Sequence, residues 1–534
     1  MASSRSTEAT KNSNEAESES RILQIDEPDE LPAATLTGWR LHTVQFCLLF
    51  GLMLSVMDGS VVSTALVTIG NYFNDFRRIQ WVVLSYLLAY LAFTLILPRI
   101  SDIIGRKWAV ITSLVILTAA SIGCGCSQTL EQLIAFRALQ GIGGSGLYSL
   151  ALIVIIDITP DKKIPLISGL LGVVFTVASV LAPMIGGGIR THSTWRWVFW
   201  FNVPCGGFAT ILMLLACPTI HTPGTITWRQ LDVLGCALYL AASVLAILAL
   251  QEAGEGTFDW DSAAFIVCII VAGLAFCALV AWIALLSRKK RSIAPLFPTR
   301  ILGRRAILAT ILTSTLNGYV FYTVLIELPE RFQIVNHKTP RTAGIYLLAM
   351  SGASAIGSGL GGFLASKYYG AFFTLNGACG FVLLGAGLLS TIGFNPSIPG
   401  KLFGYEVLIG FGFGIIFSTS VMIVKMHSRP KDSASAQGLV AQSRVLGGNI
   451  GLAIATVILN QHLVSDMQGT LSDSQIDDLR HSLTATRTLD PHAVEAVRAS
   501  FADAFHSQME VSMYIAAAAL VAGLCTWQRY SSNT

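Results

Sequence analysis

Long apolar runs, separated by short polar connections, recur along almost the whole chain. In order they are Thr43–Ile69, Gln80–Leu97, Trp108–Cys126, Leu133–Ile158, Ile164–Gly188, a run entered at Trp195 and ending near Cys217, Leu231–Leu250, Ser262–Leu286, Ala306–Leu328, Thr342–Ala365, Ala371–Ile392, Leu402–Val424, Ala434–Asn460 and Met509–Trp527. A helix of roughly 20 apolar residues crosses the hydrocarbon core of a bilayer, and these runs fall in or near that range. The pattern predicts an all-α polytopic membrane protein with about fourteen transmembrane helices.

The polar segments divide the chain. Residues 1–40 are rich in Ser, Glu and Asp, so a disordered cytoplasmic tail is expected there. No basic stretch leads into an apolar core, so no cleaved signal is expected. Residues 41–217 then read as a six-helix half and 218–305 as a linker carrying two extra spans. A second six-helix half follows at 306–527, with a polar outer loop at 461–507, and 528–534 form a short cytoplasmic tail. Inside that loop Asp490 and Pro491 suit a helix start, and Val494, Val497, Phe501 and Phe505 share one stripe. An amphipathic helix lying over the outer mouth or on the membrane is expected.

Charge sets the orientation. The connection holding Glu252, Glu255, Asp259 and Asp261 has no Lys or Arg, whereas the next one holds Arg288, Lys289, Lys290, Arg291, Arg300, Arg304 and Arg305. Basic loops stay on the cytoplasmic side, so the acidic connection is expected outside and both termini inside.

Composition agrees. Of 534 residues 53% are hydrophobic and 12% charged, with a mean hydropathy of +0.63. A soluble domain carries roughly 25% charged residues. The net charge of +4 is too small to suggest nucleic acid. The ten cysteines fall within or at the ends of apolar runs, without metal-ligand company, and read as small hydrophobes. No metal site and no cofactor are expected.

A few polar residues stand inside the apolar runs. Arg137 lies in Phe136-Arg137-Ala138-Leu139-Gln140-Gly141-Ile142-Gly143-Gly144-Ser145-Gly146. A lone Arg at mid-helix costs about 2.5–3.5 kcal/mol on insertion scales, so it faces protein or a wet cavity. The glycines after it let a neighbouring helix approach closely. Asp58 stands well inside the first run, and an intramembrane acid is a functional candidate by default. Pro98-Arg99-Ile100-Ser101-Asp102-Ile103-Ile104-Gly105-Arg106-Lys107 joins two runs through a tight charged turn, for which Gly105 supplies backbone freedom. Asp102 is unfavourable at its own helix C-terminus, so a helix N-terminus or a cation across a domain boundary is expected to meet it. In the fifth run Gly169, Gly172, Thr176, Ser179, Ala182 and Gly186 recur at helical spacing, a smooth face for close packing, with Pro183 as a kink.

In this order the three stretches (the charged turn, the Arg137 segment and Ala182-Pro183-Met184-Ile185-Gly186-Gly187) resemble the signature motifs of the major facilitator superfamily of secondary transporters. Pro98 and Ile103 replace the usual Gly and Arg of the turn, and Ala182 replaces a usual Gly. The Asp58 stretch and Trp195–Pro204 resemble motifs of the fourteen-span drug:proton antiporter branch. The general character is similar to fungal efflux pumps that accompany secondary-metabolite pathways. The resemblance implies export of small organic compounds in exchange for protons, with Asp58 and Arg137 as the coupling pair. It implies conformational gating by Asp102, Gly105, Arg106, Lys107, Pro183, Gly186 and Gly187, and a cavity lined by Gln140, Asn202, Asn317, Glu327 and Arg444. Small-molecule substrate, protons and the lipid bilayer are the expected partners, the chain acting as a monomer. The plasma membrane is the expected site, with a vacuolar or vesicle membrane as the alternative. Uptake of a nutrient or siderophore is the second reading within this fold. An enzyme is disfavoured: no Gly-x-Ser-x-Gly elbow, Walker motif or His-rich cluster occurs.

The chain also repeats itself. Phe136–Gly143 matches Tyr405–Gly412, 269 residues later, with Glu406 in the place of Arg137. The charged turn has a faded copy at Gly362–Gly370, offset by 265. Similar offsets imply parallel halves with a site at mid-depth between them.

Overall fold

The computed structural model describes residues 38–527 apart from 74–77, 193, 219–226, 255, 290–292, 294, 298–300, 302, 367–369, 396, 429, 469–470, 473–474 and 476–489. The longer helices are α1 Gly38–Val61, α2 Trp81–Phe93, α3 Ile96–Ile104, α4 Arg106–Cys126, α5 Leu130–Asp157, α6 Ile164–His192, α7 Asn202–Ala216, α8 Val233–Gly254 and α9 Ala263–Lys289. They continue with α10 Arg305–Ile334, α11 Leu348–Ala365, α12 Gly370–Ser390, α13 Lys401–His427, α14 Pro430–Met467 and α15 Pro491–Leu524. An apolar solvent leaves the backbone no partner but itself, which is why such runs become helices.

Twelve helical stretches among the described residues are long and apolar enough to cross a membrane, and α2 with α3 gives a thirteenth if the bent pair is one span. The remaining expected span is α6, 29 residues long, of which Ile164–Ala178 is the described apolar part. The second run is therefore broken, by 52° between α2 and α3. Pro98 has no N–H for the Thr94 carbonyl and its ring clashes with that group. The Thr94 hydroxyl adds to the bend by donating to the Tyr90 carbonyl at 2.6 Å.

Local chemistry sets several boundaries. Gly105, between α3 and α4, takes φ +90° and ψ +148°, a conformation that side chains rarely allow. Thr129 caps α5 by accepting from the Gln132 amide at 3.3 Å, with Glu131 in the first turn. α1 tightens into a 3-10 turn at Val62–Ala65, just beyond Asp58.

Helices α1–α7 pack among themselves, as do α10–α15, and the two sets meet chiefly along α6 and α11. The small-residue face of α6 serves that contact: Thr176 Oγ1 and Ser354 Oγ are 3.0 Å apart. A Cβ added at Gly169 would come within 2.9 Å of the Gly359 backbone. The added pair α8 and α9 packs together, and α8 also touches α2 and α14.

The polar segment before the last span differs from expectation. Instead of a separate helix over the mouth or on the membrane, residues 491–524 form one 34-residue helix, α15. Val497, Phe501 and Ala502 pack on Ile334, Val335, Leu463 and Met467, at the ends of α10 and α14. The buried stripe continues unbroken through Phe505, Met509, Ser512, Ala516 and Ala519. Gln508 does not interrupt it, because its amide donates to the Ala455 carbonyl at 2.9 Å. Residues 476–489 of the expected loop, and both tails apart from residues 38–40, lie outside the described residues.

Candidate functional site

Asp58 comes from the last turn of α1, and Arg137 and Gln140 from one face of α5, three residues apart. The Gly-rich segment brings α5 against α2 and α4. A Cβ at Gly141 would lie 2.5 Å from the Tyr86 carbonyl oxygen, and one at Gly143 2.5 Å from the Leu117 nitrogen. Only a bare backbone permits this approach.

The result is a buried polar cluster in which Arg137 Nη2 is left without a partner. Arg137 Nη1 donates to Asp58 Oδ2 and to Gln140 Oε1, both at 2.9 Å, and Nε donates to the Val82 carbonyl at 3.0 Å. Asp58 Oδ1 accepts from Gln140 Nε2 at 2.9 Å and from Asn202 Nδ2 at 2.7 Å. Gln140 Nε2 also reaches Ser121 Oγ at 2.8 Å. The guanidinium lies 4.1 Å from the Tyr86 ring centre, and Tyr86 in turn donates to the Ser55 carbonyl at 3.0 Å. Asp58 is 1% exposed and Arg137 fully buried, so the charges survive only because they meet each other and these donors. A small cavity with room for about one water adjoins Asp58, between Met57, Ile185, Val198 and Asn202. A carboxylate held this way, one step from water, can exchange a proton if the cavity opens.

The charged turn builds a second cluster. Asp102 Oδ1 is 2.9 Å from Arg106 Nη1, and Oδ2 is 3.8 Å from Arg99 Nη1. Asp102 therefore meets two cations of its own turn, not a partner across a domain boundary as expected, because Gly105 folds Arg106 back onto it. Buried Arg106 also donates to Ser101 Oγ and reaches Asp157 at the end of α5, Nε to Oδ2 3.6 Å. Arg99 Nη2 donates to the carbonyls of Pro295 and Leu296, 2.8 and 3.0 Å away, in the linker. Lys107 donates to the Leu214 carbonyl at 3.2 Å and to that of Cys217, at the end of α7. Gly186 is buried on α6, while the side-chain surroundings of Pro183 and Gly187 lie outside the described residues.

The expected cavity residues separate. Gln140 and Asn202 join Asp58. Asn317 turns into the second set of helices, donating to the Thr313 carbonyl at 2.9 Å and to Cys379 Sγ at 3.6 Å. Glu327 lies with Glu330, Arg331, Phe505 and Gln508 around another small cavity between α10 and α15. Arg444 is buried between the halves, donating to Tyr148 Oη at 3.3 Å. Sequence reading missed Tyr86, Asp157 and Gln442. Gln442 Nε2 crosses from α14 to the Leu91 carbonyl at 2.8 Å and also meets Tyr239 Oη. An acid or amide just inside a run was the available signal for Asp157 and Gln442; nothing in the pattern marks one Tyr among many.

Known proteins place this architecture. Residues 48–452 match the family model described as Major Facilitator Superfamily. An MFS-type transporter of Fusarium mangiferae, FPY5, is 35% identical over 497 residues, covering 91% of this chain and 83% of the relative. The efflux pump aunC of Aspergillus niger is 30% identical over 468 residues, covering 86% and 81%. Among solved structures, a bacterial homologue of the human lysosomal transporter Spinster superposes with a TM-score of 0.59 at 14% identity, over 92% of this chain and 97% of that one. The proton:xylose symporter XylE does so with a TM-score of 0.56 at 14% identity, over 89% and 94%. These two likenesses speak for the fold alone. The chain belongs to the Major Facilitator Superfamily and is a multi-pass membrane transporter.

Proposed function

We propose that the chain exports small organic compounds across the plasma membrane in exchange for inward protons, with Asp58 as the proton carrier. The observation that carries this is the Asp58 carboxylate, buried and closed on both oxygens by Arg137, Gln140 and Asn202. Protonating Asp58 in the closed cluster leaves Arg137 buried without a counter-charge, a loss of about 3–5 kcal/mol. Proton uptake is thereby tied to a conformation in which water reaches the guanidinium. That tie is what couples a proton to a change of access. The Arg106 bridge between Asp102 and Asp157 fits the gate on the basic side, since it joins the turn after α3 to the end of α5. The outward direction is supported by the relatives named as efflux pumps in Aspergillus.

The test uses cells expressing the chain, challenged with a panel of toxic secondary metabolites. A protected compound is then offered to inverted vesicles. Accumulation that appears when the lumen is acidified and stops with a protonophore supports proton-coupled export. Accumulation indifferent to both contradicts it.

A further inference from the structure

Arg137 and Arg444 are the arginines with fully buried side chains among the described residues; each leaves its Nη2 without a partner, but their counter-charges differ. Arg137 has a carboxylate. Arg444, 2% exposed, has none in ion-pair range among the described residues. Its Nη1 donates to Tyr148 Oη at 3.3 Å, its guanidinium carbon lies 4.2 Å from the Phe417 ring centre, and its Nη2 has no partner. A ring face offsets only part of the cost of burying a guanidinium, and a phenol oxygen is a weak substitute for an anion. Arg444 is held there by its helix. Cβ atoms at Gly447 and Gly448 would strike Thr315 and Tyr322, so α14 lies directly on α10. The site is thus a buried cation with no counter-charge in ion-pair range among the described residues.

Around it the two halves meet through aromatic rings. Tyr148 on α5 and Phe175 on α6 come from the first half; Phe321 and Tyr322 on α10 and Phe413 and Phe417 on α13 come from the second. Phe175 has its ring centre 5.6 Å from Phe417 and 6.3 Å from Phe321, Phe413 and Tyr148. Phe321 and Phe413 stack at 3.6 Å with an 11° interplanar angle. Parting the halves uncovers ring faces from both sides together with the Nη2 donor of Arg444. Flat faces with one cation read a flat ligand with one negative charge: rings stack, and the guanidinium fork takes a carboxylate or an ionised phenol or enol.

Resting on the export reading above, we infer that Arg444 and the rings around it form a charge-reading subsite, and that the exported compounds are conjugated organic anions. Asp58 does not repel such a ligand, because Arg137 neutralises its charge and the Gln140 and Asn202 amides hydrogen-bond it.

The test is equilibrium binding to the full chain in lipid nanodiscs, without any gradient. Three probes share one ring system: 2-naphthoate, the neutral 2-naphthalenemethanol and the cationic 2-naphthylmethylammonium. Wild type should bind naphthoate about tenfold or more tighter than the alcohol, with the ammonium weakest. Arg444→Gln should bring naphthoate down to the level of the alcohol, Arg444→Lys should keep part of the preference, and Phe417→Leu should weaken naphthoate and alcohol together. Wild type that fails to bind naphthoate, or does not prefer it to the alcohol, overturns the inference, as does a preference that survives Arg444→Gln. The wild-type comparison decides even if the Gln variant does not fold. Because no gradient is applied, loss of charge preference leaves proton-coupled export standing. Retained preference without gradient-driven transport has the opposite meaning.

Discussion

Arg137 Nη1 stands 2.9 Å from Asp58 Oδ2, and neither side chain exposes any surface. The two residues are 79 positions apart in sequence and come from different helices. Each makes the other tolerable, so each should be harder to remove alone than together. Arg137→Gln should lower the thermal stability of the purified protein by about 3–5 kcal/mol, because an uncompensated carboxylate remains. The double variant Asp58→Asn with Arg137→Gln should regain most of that loss while remaining unable to couple transport to protons. Additive losses in thermal unfolding would show that the two are not an energetic pair.

The charged turn gives a kinetic expectation. Asp102→Asn removes the negative charge 2.9 Å from Arg106 but leaves Asp157 as its anionic partner. The protein should reach the membrane in normal amount and transport several-fold more slowly. Wild-type transport rates at equal protein level would reduce the turn to an anchor.

Close helix approach is tested at Gly141. A side chain there collides with the Tyr86 backbone and pushes α5 away from α2, taking Arg137 off the Tyr86 ring. Gly141→Val should accumulate poorly, since overpacking costs about 1–3 kcal/mol or more where backbone must move. Normal accumulation and activity would mean that the helices have slack there.

Orientation is tested by labelling. In a functional variant lacking reactive cysteines, a Cys placed at Asp261 should react with an impermeant maleimide on intact cells, and one at Arg304 should not. Both positions are exposed, so protection of both or the reverse pattern speaks against the charge-based topology.

Much of the site was legible because charge in an apolar run is conspicuous. Asp58, Arg137 and Arg444 stand out for that reason, and the glycines after Arg137 foretell close packing. Gly105 was readable too, as the one residue able to fold the turn. The break at Pro98 was less so, because its effect falls four residues earlier, at Thr94. α15 was cut in two by ending the polar loop at residue 507 and starting the last span at Met509, although the Gln508 amide between them is satisfied inside by Ala455. The same limit applies to Asn317 and Glu327: polarity in a run says that a partner exists, not on which side of the helix it lies.

The central claim is that Asp58 carries the proton. For a compound that the chain exports, the decisive measurement is accumulation by purified protein in proteoliposomes with an imposed pH gradient. Wild type and Asp58→Asn are compared alongside equilibrium binding of the same compound. Asn keeps the shape and the hydrogen bond to Arg137 but cannot ionise. The account predicts binding within a few-fold of wild type and no gradient-driven accumulation. An Asp58→Asn protein that still concentrates the compound when the gradient is applied would contradict it.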